Sequence, residues 1–214
     1  KIQNAMFPLS QYNVNSTNNV ITFDDGAPKT ATMTNGIYTT AQLVAHMKAV
    51  MDAASTLVYT ITFNTITQKI TISSTSNFSL DFTSSTSDLA NMLGFANLLY
   101  SGASTYTGPN VVNVNRIYSQ LNLHSTQISL HNEQVISTST TDSSLIARIN
   151  NSVYKPTEYL YYTHDDNSGN VMFNDIKGGL ESIDVQIKDI DNKFVDFNGI
   201  YDGIVINLIV RYLA

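Results

Sequence analysis

The sequence contains no cysteine, and charged residues make up only 13% of its 214 residues. Without a thiol, a disulfide framework, a thiolate metal site and a cysteine nucleophile are all excluded. The net charge is -6, so the chain lacks the basic patch that holds a phosphate backbone. We therefore do not expect nucleic acid as a partner.

Long apolar runs are also missing. The longest, residues 204–213, is interrupted by Asn207 and Arg211. It is far shorter than the roughly 20 residues that a membrane helix requires. We therefore expect a soluble protein with no membrane-spanning segment, large enough to bury a substantial core.

Uncharged polar residues take the place of charge. Ser and Thr together make up about a fifth of the chain and Asn about a tenth. With Tyr, Val and Ile, these residues favour strands and turns over helices. Apolar residues alternate with polar ones in about ten short segments, most clearly along 182–189 and 203–212. The pattern predicts a mainly β protein with a sandwich or jelly-roll architecture.

Two segments lack this strand-like alternation and are predicted to be helical. The segment 41–54 carries one apolar stripe at helical spacing: Leu43, Val44, Met47, Val50, Met51 and Ala54. Thr39 and Gln42 have the spacing of a capping box at its start. A short helical turn is predicted over 88–93, ended by Gly94 in a left-handed conformation.

The amino-terminal residues show no sustained period. Met6, Phe7 and Leu9 are apolar but too irregularly spaced to form a core of their own. We predict that residues 1–17 form an arm that docks on a neighbouring subunit. Residues 18–214 then form a single domain.

The four histidines, His46, His124, His131 and His164, lie in no ligand spacing. His46 falls on the predicted solvated side of the helix. His124 and His131 flank a predicted strand and could converge, but no third ligand is spaced near them. We expect no metal site.

Carboxylates gather mainly in turn-like sequence. The stretch 165–170 alternates oxygen ligands and turn residues as a calcium loop does, but Ile176 occupies the twelfth position, where an acidic residue is required. We interpret this stretch, the similar one at 189–192, and Asp24 with Asp25 as solvated turns.

The motifs of nucleophilic catalysis and phosphate binding are absent: there is no G-x-S-x-G elbow and no glycine-rich phosphate loop. We therefore predict that the protein is not an enzyme, with no catalytic residues and no cofactor. An active site assembled from distant residues is the alternative.

Several short stretches of the sequence nevertheless resemble known proteins. Residues 36–43 (GIYTTAQL), 59–63 (YTITF), 69–72 (KITI), 78–82 (FSLDF) and 92–95 (MLGF) form a module. This module resembles capsid proteins of icosahedral double-stranded DNA viruses, including virophages, polinton-like viruses and large algal viruses. Residues 183–189 (IDVQIKD) and 195–199 (VDFNG) resemble the closing strands of their penton, or vertex, proteins. The middle, about 105–180, matches no family.

The resemblance implies a single jelly-roll antiparallel β-sandwich over residues 18–214. It also implies a structural virion protein that closes the five-fold positions of the capsid. It implies a homopentamer at the capsid vertex, assembled inside the host cell, with neighbouring major and minor capsid proteins as partners. A spike or a host receptor is a further candidate partner. A major capsid protein of this lineage needs two fused jelly rolls, and 214 residues accommodate one.

The alternative is a receptor- or glycan-binding β-sandwich module of a viral fibre, spike or tail, because the first module also resembles phage attachment proteins. Exposed aromatic side chains would serve such binding. The candidates are Tyr100, Tyr106, Tyr154, Tyr159, Tyr161 and Tyr162. Sheet packing and subunit contacts explain these tyrosines equally well.

Overall fold

The computed structural model describes residues 2–83, 87–115, 120–125, 145–150, 159–163, 184–200 and 202–208. Within them the chain forms eleven strands and two helices. The strand pairings are antiparallel, which confirms the predicted mainly β fold class. In chain order the elements are β1 (Ile2–Pro8), β2 (Val20–Asp24), β3 (Pro28–Thr32), α1 (Thr40–Ala54), β4 (Tyr59–Asn64), β5 (Lys69–Asp81), α2 (Ser87–Leu93), β6 (Leu99–Thr107), β7 (Gln120–His124), β8 (Leu145–Asn150), β9 (Tyr159–Thr163), β10 (Gln186–Lys188) and β11 (Val205–Leu208).

The chain divides into two compact units. One, which we call the continuous unit, is Tyr12–Arg116. The other, the split unit, consists of Lys1–Gln11 and Ile117–Ala214. Each unit has its own hydrophobic cluster. These boundaries differ from the predicted division at residues 17 and 18, because two cores form where alternation in the sequence indicated one.

The continuous unit is a five-stranded sheet with a helix against it. Four strands follow the order β3-β2-β5-β4, and β6 pairs with β5. Helix α1 buries Leu43, Met47 and Met51, the apolar stripe that the sequence shows. Thr39 N donates to Gln42 Oε1 at 2.9 Å and Gln42 N donates to Thr39 Oγ1 at 3.3 Å. The predicted helix and its capping box are therefore confirmed.

Helix α2 confirms the predicted short helical turn. It ends at Leu93, and the φ of +77° at the next residue, Gly94, lies in the left-handed region that favours glycine. A side chain there would also collide with the backbone, because a Cβ would lie 2.4 Å from the Asn110 carbonyl oxygen. Phe95, just beyond the cap, is buried against the core.

Aromatic rings form a connected series through this core. Tyr59 meets Phe23 edge to face with centroids 5.6 Å apart, and meets Phe78 at 5.2 Å. Phe78 meets Tyr106 in the same geometry at 5.1 Å. Edge-to-face pairs of this kind contribute about 0.5–1.5 kcal/mol each beyond the area they bury.

The two ends of the continuous unit meet at Asn13. This buried side chain donates to the carbonyl oxygens of Tyr38 at 2.8 Å and Val114 at 3.0 Å, and accepts from Tyr38 N at 2.9 Å. One amide therefore holds the first and last segments of the unit together.

The split unit contains two three-stranded sheets, in the orders β11-β1-β9 and β10-β7-β8. Ala5, Phe7 and Leu160 from the first sheet share one cluster with Leu121 and Leu123 from the second. Two antiparallel sheets with inner faces in one core form a sandwich.

The segment predicted to be an arm is a strand of this sandwich. Residues Ile2–Pro8 form the middle strand of their sheet, and Phe7 and Leu9 are fully or almost fully buried. The partners of β1 are β9 and β11, which lie in the last third of the chain. No neighbouring segment therefore indicated that residues 2–8 form a paired strand. The structure replaces the predicted arm with a core strand.

The structure describes only parts of two predicted strands near the carboxyl end, because residues 182, 183 and 209–212 lie outside the described residues. The segment 182–189 contains β10 over Gln186–Lys188, and 203–212 contains β11 over Val205–Leu208. The predicted strands at 127–130 and 171–173 lie outside the described residues.

Candidate functional site

The histidines that the structure describes occupy structural positions. His46 Nε2 accepts from Thr34 N at 3.0 Å, and its ring stacks on Tyr38 with centroids 5.4 Å apart. His124 is buried on β7, opposite Gln186. His131 and His164 lie outside the described residues. In the described ranges, no group of three His, Asp or Glu side chains is placed to hold a metal ion.

Asp24 and Asp25 have different roles. Asp24 Oδ1 accepts from Gly26 N at 2.9 Å, as the predicted turn requires. Asp25 instead turns inward, and its side chain is only 2% exposed. Lys29 Nζ lies 2.8 Å from one of its oxygens and 3.0 Å from the other. The prediction of a solvated turn is therefore wrong for the Asp25 side chain, which is covered and paired with the partly exposed Lys29 four residues later.

A second element completes this cluster. The Ser55 hydroxyl, just past the end of α1, donates to Asp25, and Leu57 N donates to Ser55 Oγ at 2.9 Å. Asp52, on the last turn of α1, accepts from Tyr59 N at 2.7 Å and pairs with Lys48. We call Asp25, Lys29 and Ser55 the hairpin clamp, since they join the β2–β3 hairpin to the end of the helix.

The electrostatics of the clamp indicate what it can do. Desolvation alone raises the pKa of Asp25, but hydrogen bonds from Lys29 and Ser55 outweigh it and hold that pKa below its ordinary value. Burial, with nearby carboxylates, raises the pKa of Tyr59 to about 12. A carboxylate that stays ionised so readily is a weak base for activating Ser55. The cluster therefore acts as a structural clamp.

The candidate turn at 189–192 is organised around one carboxylate. Asp189 Oδ1 accepts from Asp191 N at 2.8 Å and from Lys193 N at 2.9 Å. Burial raises the pKa of Asp189 despite these hydrogen bonds. The side chain bonds its own turn, which supports the turn interpretation over a cation site. The similar stretch 165–170 lies outside the described residues.

Large apolar side chains are exposed around this turn. Phe194 is 71% exposed, with Lys188 Nζ 5.5 Å from the centre of its ring. Val185, Ile190 and Ile200 are exposed in the same segment. We call these four residues the turn surface of the split unit. The resembling stretches 183–189 and 195–199 lie on either side of the turn, and neither they nor the alternation identified these exposed side chains.

The candidate tyrosines fall into two groups. Tyr106 is buried, and its hydroxyl donates to Phe78 O at 2.7 Å and accepts from Ala103 N at 2.9 Å. Tyr100 and Tyr162 pack against the cores of their units. Packing therefore accounts for these three.

Tyr159 and Tyr161 form the second group. They are 43% and 72% exposed, and their ring centroids lie 6.4 Å apart. Two of the candidates are thus brought together at the surface. Tyr154 lies outside the described residues.

Neither helix in the part of the chain that the structure describes is long and apolar enough to cross a membrane. No protein-family profile and no curated protein sequence matches the chain. Among solved structures, it is similar to the crystal structure of selenomethionine-labelled mavirus penton protein, with a TM-score of 0.44 and 10% sequence identity. The alignment covers 90% of this chain and 80% of the mavirus chain. This neighbour is a viral penton protein, and the likeness concerns fold alone.

Proposed function

We propose that the protein is a structural virion protein, a penton subunit that closes the five-fold positions of an icosahedral capsid. In this proposal the split unit is the jelly roll that contributes to the shell. The continuous unit is carried as an insert between residues 11 and 117. The protein then acts by occupying a position in the virion, and its partners are its own copies and the neighbouring capsid proteins.

The turn surface is the observation that carries the proposal. Phe194 and three exposed aliphatic side chains lie in one segment of the split unit. Contact between these apolar side chains and water is unfavourable. Aromatic residues are enriched and charged residues are depleted in the buried cores of protein interfaces. A subunit that buries this segment against a neighbour gains free energy on assembly.

A ring of five subunits requires a particular kind of contact between neighbouring subunits. An icosahedral vertex needs a heterologous interface, in which one patch meets a different patch on the next copy and the ring closes after five. The low charge of the chain helps, because few ions have to be desolvated at such contacts. Contacts around the ring and with the shell add together, so each one can be weak in solution.

The test is the copy number and position of the full chain. Sedimentation velocity over a wide concentration range should detect a pentamer, and imaging of particles that carry the chain should place it on five-fold axes. Phe194→Ala should lower the pentamer fraction. Ile66→Ala, which removes an even more exposed apolar side chain from the continuous unit, should leave that fraction unchanged. A trimer, or a location on two-fold or three-fold axes, would overturn the proposal.

The exposed Tyr159 and Tyr161 pair supports a second candidate function, a receptor- or glycan-binding β-sandwich module of a viral fibre, spike or tail. Trimeric assembly of the full chain would favour that function over the penton.

A further inference from the structure

The outer face of the β11-β1-β9 sheet carries a compact set of exposed side chains. Met6 of β1 pairs with Tyr161 on one side and Val205 on the other. In the next row, Asn4 pairs with Thr163 and Asn207. We call the outer-face residues Asn4, Met6, Tyr159, Tyr161, Thr163, Val205 and Asn207 the tyrosine face.

Burial alternates along the strands, which establishes the direction of this face. Ala5, Phe7 and Leu160 are buried in the core of the split unit. Since successive side chains of a strand point to opposite sides of the sheet, Met6 and Tyr161 point away from that core. Tyr161 is accordingly 72% exposed.

Gly203 shapes the position of Tyr159. A Cβ atom on Gly203 would lie 2.4 Å from Tyr159 Cε1 and 2.9 Å from its hydroxyl oxygen. The outer part of the ring therefore occupies the space where any other residue would have a side chain. The ring is held against the sheet with its remaining surface toward water, and Tyr161 stands beside it at an angle of 46°.

A polar row borders the two rings. Asn207 Nδ2 donates to Asn4 Oδ1, and Thr163 lies on the other side of Asn4. This single bond uses one donor of Asn207 and leaves its amide oxygen available. Rows on one face of a strand are about 6.6 Å apart, so the amides lie within reach of a group stacked on Tyr161.

We infer that the tyrosine face is a binding site for a neutral oligosaccharide. A pyranose ring has an apolar face of C–H groups, which packs on the negative face of an aromatic ring. It also has hydroxyl groups at its edge, which need amide or hydroxyl partners once they leave water. Tyr159 and Tyr161 supply the first requirement, and Asn4, Asn207 and Thr163 supply the second.

Charge and area favour this ligand over a second copy of the chain. Within the described part of the chain, the tyrosine face carries no formal charge, which suits an uncharged ligand. Three strands and three rows span about 10 by 13 Å. A stable protein contact buries about 800 Å² on each partner, several times this footprint, whereas a few sugar units cover it. This inference rests on the second candidate function and does not depend on five-fold assembly, so it and the penton proposal can each fail without the other.

The experiment titrates the full chain with cellohexaose, chitohexaose and a linear mannohexaose, and follows binding by saturation-transfer-difference NMR and calorimetry. At least one of these oligosaccharides should bind. Tyr161→Ala should weaken binding about tenfold, because it removes one stacking ring. Tyr161→Phe keeps the ring and should change the affinity by less than about threefold.

Phe194→Ala is the matched control. Phe194 is 71% exposed, almost the same as Tyr161, but it pairs with Lys188 of the other sheet. Its removal should leave the affinity for each sugar unchanged, whatever it does to assembly. Circular dichroism should give the three variants the folded spectrum of the parent chain.

Three outcomes would overturn the inference. None of the three sugars binds at millimolar concentration, Tyr161→Ala binds as well as the parent chain, or Phe194→Ala loses the affinity equally. A change in sedimentation coefficient for Tyr161→Ala, without loss of sugar binding, would instead identify the face as a contact between copies.

Discussion

The continuous unit and the split unit differ in how far apart along the chain their partners lie. In the continuous unit, β4 and β5 form a hairpin in which Asn64 pairs with Lys69. In the split unit, β1 pairs with β11, and Asn4 and Asn207 are 203 positions apart. Contacts between residues that are close in sequence close small loops and form early, whereas pairing of residues far apart in sequence has a larger entropic cost of loop closure. We therefore expect the continuous unit to fold first.

Folding of the continuous unit reduces this entropy cost. Because Asn13 bonds to the Val114 carbonyl at 3.0 Å, the folded continuous unit holds its own ends together. For the pairing of β1 with β11, the folded continuous unit then acts as a loop much shorter than its own length of chain, which lowers the loop-closure entropy. The comparison shows how strands that lie far apart along the chain can still pair in one sheet.

The largest effect is expected from deleting residues 1–11. The split unit loses β1, the middle strand of one sheet, together with the buried Phe7 and Leu9. Hydrogen exchange should show complete loss of amide protection in β7 and β9, while α1 keeps its protection. If β7 and β9 stay protected, β1 is dispensable, as an arm would be.

The hairpin clamp gives the next largest effect, confined to the continuous unit. Asp25→Asn leaves Lys29, whose side chain is 23% exposed, without its anionic partner, and should lower the free energy of unfolding by about 2 kcal/mol. Chemical denaturation at pH 7 measures this. Asp24→Asn keeps the oxygen that Gly26 N bonds, and should change stability by less than about 0.5 kcal/mol.

The clamp also predicts a pH dependence. The pKa of Asp25 is lower in the folded chain than its ordinary value, so its contribution is present above about pH 4 and is lost as the pH falls through the folded pKa. The difference between Asp25→Asn and the parent chain should therefore shrink in acid. An equal difference at pH 7 and pH 3 would contradict this account.

Removing the helix cap should have a smaller effect. Thr39→Ala removes the oxygen that Gln42 N bonds and should destabilise the continuous unit by about 1 kcal/mol. Thr56→Ala, at an exposed position just past the helix, is the control. Thermal unfolding should separate the two variants, and equal melting temperatures would show that the capping box contributes nothing.

The smallest effect concerns Asp189 and has the opposite sign with pH. Its pKa is raised by burial, so its contribution to the split unit is present below the ordinary value and is lost as the pH rises through the folded pKa. Asp189→Asn keeps an oxygen for Asp191 N and Lys193 N and removes the charge. The variant should gain stability relative to the parent chain between pH 4 and pH 7, measured by hydrogen exchange in β10. A loss over that range would be incompatible with the raised pKa.

The elements predicted well are those determined by neighbours in the sequence. Helix α1, its capping box and the Gly94 cap all depend on residues within a few positions. The clamp was missed because Ser55 reaches Asp25 across 30 positions, and nothing near Asp25 distinguishes a buried carboxylate from a solvated one. The spacing of Lys29, four positions after Asp25, was the one available signal.

The candidate surfaces show the same limit. The sequence identified Tyr159 and Tyr161 among six tyrosines, but it could not separate them from the buried Tyr106 or from Tyr162, one position away. Which side of a strand faces the core depends on the sheet that packs against it. The residues next to Gly203 in the sequence do not indicate its role, because that role is to leave space for the ring of Tyr159 on another strand.

The sequence by itself determined the mainly β class, the amphipathic helix and the absence of thiol chemistry, since composition and short-range periodicity act through local backbone preferences and one buried face. Only the tertiary structure decided that there are two cores, that Ile2–Pro8 is a middle strand and that Asp25 is buried. These features arise from pairings between distant residues. Their stability comes from burial and hydrogen bonds that exist only once the chain has folded.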